Sequence, residues 1–177
     1  MDLLKAATDW AKAELVSTPF FMVFGLLFMA TSLGFWQWGK TDIARAYILP
    51  TLIAGSLLFI IGLGLFYTNK TRITQFEMAY NENRTTFLDA EIERAEATLK
   101  EYKTIVFTAI PILIVLCALG ILFLEQPHWR ASLITTLGML FVILLIDGSA
   151  HARIADYHKV LLSAKKAAVQ LNRTDFF

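Results

Sequence analysis

Four long apolar runs without a charged residue constrain the fold of this chain more than any other feature. They cover residues 15–39, 46–69, 104–124 and 131–146. A helix that crosses the hydrocarbon core of a bilayer needs about 20 apolar residues, and it satisfies its own backbone polar groups. The chain is 56% hydrophobic and only 18% charged, where soluble domains are about 25% charged. The sequence therefore predicts an all-α integral membrane protein with four transmembrane helices in an antiparallel bundle.

The runs divide the chain into seven predicted segments. The spans are predicted at residues 19–39, 44–69, 104–124 and 130–148, with a helical hairpin over 70–103 and a C-terminal helix over 149–177. Residues 1–18 place apolar side chains and Trp10 on one face and are followed by Pro19, which predicts a short interfacial helix. The alternative is a simple extension of the first span. The fourth run has only 16 residues before Asp147, so we expect Asp147 close to the membrane boundary.

The distribution of Lys and Arg predicts the orientation in the membrane. Thirteen of the 16 lie in the N-terminal segment, in residues 70–103 and in the C-terminal segment, and three lie on the other side. The positive-inside rule then places both termini in the cytoplasm. We accordingly predict a multi-pass protein of the bacterial inner membrane. The net charge of +1 gives no indication of a nucleic-acid partner.

The polar segments carry the pattern of packed helices. Residues 70–103 contain no Gly or Pro, and their apolar residues recur three and four positions apart, as in a coiled coil. The turn of the hairpin is predicted at residues 81–84, with Thr85 or Thr86 as the helix cap. We therefore predict that helices two to four continue into a cytoplasmic stalk, whose stripes contact each other or a second subunit. The predicted contact residues are Leu88, Ile92, Leu99, Tyr102, Ile154, Leu161 and Leu171.

Small residues within the spans predict places where helices approach closely. Ala30 and Gly34 form a pair separated by three residues in the first span, and Gly55 and Gly62 thin the second span. Small side chains allow two helix backbones to come together in lipid. The contact can lie within one chain or between subunits.

The central parts of the spans contain no ionisable residue, which argues against a proton-coupled transporter and against intramembrane haem. Asp147 and His151 share a helix face, and His158 returns close to it. With Glu77 and Glu101 from other helices, these residues are the predicted ligands of a divalent metal. The repeated Glu-x-x-His pattern of di-metal bundles is absent, however.

We favour a structural ion-pair and hydrogen-bond network over a metal site as the interpretation of these residues, and a pH-sensing role for the histidines is a third possibility. In such a network Asp147 would pair with Arg153 or Arg72 at the mouth of the bundle, and no metal would be required.

Three functional hypotheses follow from these patterns. The first is a non-enzymatic membrane protein that acts through homo-oligomerisation, or as an accessory subunit of a membrane-protein partner, through its cytoplasmic stalk. The second is an oligomeric four-span channel with a pore between subunits. The third is a metal- or lipid-dependent enzyme built on Asp147 and His151. Membrane lipids are expected partners in each case, with lipid bound to the protein and no further cofactor.

Overall fold

Every described element of this protein is a helix. The computed structural model describes residues 3–174, with side chains described as far as Gln170. Four helical stretches are long and apolar enough to cross a membrane, and this part of the sequence prediction is confirmed. The elements are α1 (Leu3–Trp38), α2 (Asp42–Ala46), α3 (Ile48–Glu82), α4 (Arg84–Glu101), a π-helical segment (Tyr102–Ala109), α5 (Ile110–Phe123) and α6 (Pro127–Thr174).

Helix α1 runs without a break through Pro19. The sequence predicts a separate interfacial helix over residues 1–18, and the structure corrects this to an extension of the first span. Proline has no N–H, so it leaves the carbonyl of Leu15 without its usual helical donor. The Thr18 hydroxyl donates to that carbonyl at 3.1 Å, which allows the helix to continue. The first turns of α1 are buried against other helices rather than lying along a membrane surface.

Helices α1 and α3 run antiparallel and touch at glycines. A Cβ atom added to Gly25 would lie 2.7 Å from the backbone nitrogen of Phe59, and one added to Gly62 would lie 2.7 Å from Cγ of Met22. Gly55 lies in the same contact, where an added Cβ would be 2.7 Å from the carbonyl oxygen of Gly25. The absence of side chains at these positions fixes the register of the two helices.

The other predicted small-residue pair lies outside this contact. Ala30 is exposed, and a Cβ added to Gly34 would meet only the ring of Trp38 on the same helix, at 3.7 Å. The pair therefore does not bring α1 against another described helix of this chain.

A hydrophobic core, which we call the polar-end core, joins four helices. It is formed by the N-terminal part of α1, the C-terminal part of α3, the whole of α4 and the second half of α6. Among the predicted stripe residues, Leu88, Ile92, Ile154 and Leu161 are buried in it, and Leu99 and Tyr102 pack against it. The side chain of Leu171 lies outside the described residues. The stripes of α4 and α6 thus meet within one chain, together with Leu3, Ala7, Trp10 and Ala11 of α1.

The turn between α3 and α4 is a single residue, Asn83, within the predicted turn at 81–84. Its side-chain oxygen accepts hydrogen bonds from the backbone N–H groups of Thr85 and Thr86, both at 3.0 Å. The cap is therefore Asn83, and the two threonines predicted as caps are instead the first-turn donors that it satisfies.

The π-helical segment separates α4 from α5. The N–H of Ile110 donates to the carbonyl of Ile105, five positions earlier, and the Thr108 hydroxyl donates to the carbonyl of Lys103 at 2.8 Å. Pro111 follows in the first turn of α5, where its missing N–H is tolerated.

A lateral gap separates α3 from α5 and from the π-helical segment. In the fully described stretch 48–123, no Cα atom of α3 lies within 8 Å of one in α5 or in the π-helical segment. Both sides of this gap pack instead on α6.

Candidate functional site

A cavity of about 420 Å³ lies where the apolar spans meet the polar-end core. Side chains from α1, α3, α4, the π-helical segment and α6 line it. Its charged lining residues are Glu14, Arg72, Arg94, Glu101 and Asp147. Its apolar lining residues are Phe21, Ile61, Leu65, Ile105, Val106, Ile143, Ala150 and Ile154. The volume falls in the range of about 300–1,000 Å³ that is usual for small-molecule sites.

The apolar wall of the cavity reaches the outer surface of the bundle. Ile61 and Leu65 of α3 are 40% and 39% exposed, and Ile105 across the lateral gap is 55% exposed. Since these residues lie in stretches apolar enough to span a membrane, the exposed surface is suited to contact with acyl chains.

Trp10 stands at the charged end of the cavity with aromatic and cationic neighbours. The ring of Tyr157 stacks on it with the centroids 5.2 Å apart and an interplanar angle of 10°. The guanidinium carbon atoms of Arg94 and Arg72 lie 4.5 and 5.4 Å from its ring centroid. Cations at this distance are attracted to the ring. The Trp10 indole N–H is buried and has no hydrogen-bond partner within the described residues.

The charge of Arg94 is neutralised by Glu91. Arg94 donates to the two carboxylate oxygens of Glu91, from Nε at 2.9 Å and also from Nη2. The Tyr157 hydroxyl donates to the same carboxylate at 2.9 Å. Burial, and next the Glu91 carboxylate, raise the pKa of Tyr157, so the hydroxyl keeps its proton and remains a donor. Glu91 is only 6% exposed, and its partners account for both oxygens.

Arg72, by contrast, faces the cavity without an acidic partner. Its Nη1 donates to the neutral side-chain oxygen of Asn69 at 3.2 Å, and no carboxylate of the described residues lies within ion-pair distance of it. Burial, and next the repulsion from Arg94, lower the pKa of Arg72. An arginine remains protonated under such conditions, so Arg72 is a partly buried cation held beside Trp10.

Among the acidic residues of the cavity, one is paired with an arginine and two are not. Glu14 accepts hydrogen bonds from Arg153 of α6 at 2.9 and 3.2 Å. Asp147 and Glu101 form no ion pair within the described part of the chain. Burial, followed by the carboxylates of Asp147 and Glu14, raises the pKa of Tyr102, which also lines the cavity. The predicted pairing of Asp147 with Arg153 or Arg72 is not formed, because Arg153 pairs with Glu14 and Arg72 with Asn69.

Only two of the five predicted metal ligands, Asp147 and Glu101, line the cavity. The His151 ring packs edge-on against Tyr102 and Phe107, with centroids at 5.7 and 4.9 Å.

The other two predicted ligands point to different surroundings. His158 Nε2 lies 3.4 Å from Glu96 Oε1, and Glu77 is exposed on α3 outside the cavity lining. No group of three or more His, Cys, Asp or Glu residues in the described chain is arranged to hold a metal. Metal binding by these residues stays a prediction.

Sequence reasoning missed Trp10, Glu14 and Arg94 as site residues. A signal was present, because Glu14 is the one acid on the otherwise apolar face of the first helical segment, one turn after Trp10. A charged residue on an apolar face close to a span calls for a partner, and Arg153 is that partner.

No protein-family model, curated protein or solved structure matches this chain at a significant level. The functional conclusion must therefore come from the residues of the site.

Proposed function

We propose that this chain is a non-enzymatic membrane protein that binds one membrane lipid in the cavity at the base of the polar-end core. The observation that carries the proposal is the combination of an apolar wall open to the lateral gap with unpaired charges at the inner end. A membrane lipid combines apolar acyl chains with a polar headgroup, which match the apolar wall and the charged inner end, and it can reach the cavity from the bilayer.

Ile61, Leu65 and Ile105 would contact the upper acyl chains, entering between α3 and the π-helical segment. The headgroup would then lie against Arg72 and Asp147. Unpaired charges are costly at a membrane boundary unless a counter-charge or a hydrogen-bonding group reaches them. A polar headgroup supplies both, and the energy gained opposes the entropy lost when the lipid is ordered.

The Lys and Arg distribution supports an orientation with the polar-end core in the cytoplasm, since thirteen of 16 basic residues lie on that side in sequence. The bound lipid would then come from the inner leaflet of a bacterial inner membrane.

Native mass spectrometry of the protein released from mild detergent tests this proposal. We expect a population with one bound phospholipid per chain. Ile105→Trp fills the entrance and should strongly reduce that population, whereas Leu116→Trp, on the exposed surface of α5 and 56% exposed, should leave it unchanged. Absence of bound lipid, or equal loss in both variants, would contradict the proposal.

Assembly through the membrane is a second candidate function. The uncovered Ala30–Gly34 face of α1 favours it, because small residues allow a second helix to approach closely. In a Cys117→Ser background, Ala30→Cys should form disulfide-linked dimers in membranes, and Leu122→Cys, which is 73% exposed on α5, should not. Cross-linking at both positions, or at neither, would argue against this interface.

The stalk stripes, which the sequence presents as the interaction surface, are occupied within the chain. The channel and the metal- or lipid-dependent enzyme stay predictions, which liposome flux and lipid turnover assays address.

A further inference from the structure

We propose that the cavity selects an aminophospholipid, with Arg72 binding the headgroup phosphate and with Asp147 and Glu101 binding its ammonium group. This inference rests on the proposed function and names the class of lipid.

The phosphate position is argued from Arg72. Its neighbour Arg94 already binds both oxygens of Glu91, whereas Arg72 binds only a neutral amide oxygen, at 3.2 Å. Its guanidinium carbon lies 5.4 Å from the ring centroid of Trp10, and this cation–π contact restrains the guanidinium before a ligand arrives. A planar guanidinium binds phosphate oxygens through two parallel hydrogen bonds. A phosphate would also meet the second guanidinium, that of Arg94, in the same cavity.

The ammonium position is argued from the two unpaired acids. Asp147 of α6, which is partly buried, and Glu101 of α4, which is exposed, both line the cavity, and neither forms an ion pair within the described residues. Glu14, the third acid of the lining, is already bound to Arg153. A primary ammonium has three donors and satisfies two carboxylates at once.

The two kinds of unpaired charge exclude other common headgroups. Phosphatidylglycerol has no cation, so it would leave Asp147 and Glu101 unneutralised beside a second anion. Phosphatidylcholine has a cation that donates no conventional hydrogen bond, so it would satisfy the carboxylates less well. The volume of about 420 Å³ accommodates a headgroup and the adjoining part of its chains, while the remaining chain length lies in the lateral gap.

Titration of the delipidated full-length protein in detergent tests this inference. The probes are phosphatidylethanolamine, phosphatidylcholine and phosphatidylglycerol with identical acyl chains, and water-soluble glycerophosphoethanolamine. We expect phosphatidylethanolamine to bind about tenfold more tightly than the other two lipids, and the soluble headgroup to bind far more weakly.

Variants test separately which residues bind the phosphate and which bind the ammonium group. Arg72→Gln should weaken all three lipids by about tenfold, whereas Arg84→Gln, an exposed arginine outside this cavity, should not. Asp147→Asn with Glu101→Gln should remove the preference for phosphatidylethanolamine and retain binding of phosphatidylglycerol. If Arg72→Gln does not fold, Arg72→Lys keeps the charge but loses the two-point geometry, and should weaken binding as well.

The outcomes separate this inference from the proposed function. Tighter binding of phosphatidylglycerol, or a preference unchanged by the acid-to-amide variants, overturns the aminophospholipid and leaves lipid binding intact. Failure of every lipid to bind overturns the proposed function itself. Equal affinity for the soluble headgroup shows that the ligand is a free phosphate ester, and overturns the lipid as its source.

Discussion

Arg153 of α6 donates to both carboxylate oxygens of Glu14 of α1, from Nε at 2.9 Å and from Nη2 at 3.2 Å. The pair joins two helices through residues that are 139 positions apart in sequence. It also decides which charges remain unpaired in the cavity, because it removes Glu14 from competition for Arg72.

Breaking this ion pair should destabilise the fold. Glu14→Gln leaves Arg153 without its carboxylate, and charge-assisted hydrogen bonds contribute about 2 kcal/mol. The side chains of Arg153 and Glu14 are only 27% and 12% exposed, so solvent replaces the interaction poorly. We expect a lower midpoint in thermal unfolding in detergent. Asp156→Asn, which breaks an ion pair whose side chains are 75% and 76% exposed, is the matched control and should leave the midpoint unchanged.

Adding one methyl group to the contact between α1 and α3 should also destabilise the protein. In Gly25→Ala the new Cβ meets backbone atoms of Phe59 and Gly55 at 2.7 and 2.8 Å, so the helices must separate. Overpacking of this kind costs about 1–3 kcal/mol. Gly64→Ala is the control, because an added Cβ has no atom within 4 Å there, and it should be neutral or stabilising. Unfolding in increasing SDS measures both, and equal effects would argue against the close contact.

The packing of Trp10 distinguishes a buried N-terminal helix from one lying along the membrane surface. Trp10 is 8% exposed and stacks on Tyr157, so Trp10→Ala should cost about 3 kcal/mol. Trp10→Phe keeps an aromatic ring and removes the unpartnered N–H, and it should retain most of the stability. A thermal midpoint that is unchanged in Trp10→Ala would show that the first turns of α1 do not pack in the polar-end core.

The hydrogen bond from Tyr157 to Glu91 should show a defined pH dependence. Tyr157→Phe removes a buried donor, and we expect a loss of about 1 kcal/mol. Burial raises the pKa of Tyr157 above its ordinary value of 10.0, so the neutral hydroxyl stabilises the fold fully below about pH 10. The difference between the two proteins should be constant from about pH 6 to 9 and shrink as the pH rises further. Tyr67→Phe, at a position 73% exposed, is the control.

The helices could be predicted from sequence because lipid allows few alternatives. A run without charge must satisfy its backbone internally, which makes it a helix, and the four predicted runs lie in the four long helices. Whether a helix continues through Pro19 does not follow from the apolar run alone, and in the structure the Thr18 hydroxyl supplies a donor to the Leu15 carbonyl. The cap at Asn83 differs from the predicted cap, Thr85 or Thr86, by two or three residues, because the side chain of Asn83 accepts from both threonine N–H groups.

The cavity could be predicted only in part. The length of the fourth run predicts Asp147 near the membrane boundary, which stays a prediction, and in the structure Asp147 lines the cavity. Its neighbours depend on how α1 and α3 register at Gly25 and Gly55, and no pattern within a single helix contains that information. The unpaired state of Arg72 likewise follows from where Glu14 and Glu91 find their partners.

The π-helical segment Tyr102–Ala109 joins α4 to α5 and affects how the two are oriented relative to each other. Successive residues of an α-helix are about 100° apart around its axis, and a π-helix turns less per residue because its hydrogen bonds span one residue more. The segment therefore acts as an angular offset between α4 and α5. With this offset, the apolar stripe of α4 and the apolar face of α5 both contact α6, although they lie at different angles around the helix axis. Deleting one residue within it would rotate α5 relative to α4 by the turn of one π-helical residue, which is somewhat less than about 100°, so the length of the segment sets the orientation of α5 relative to α4.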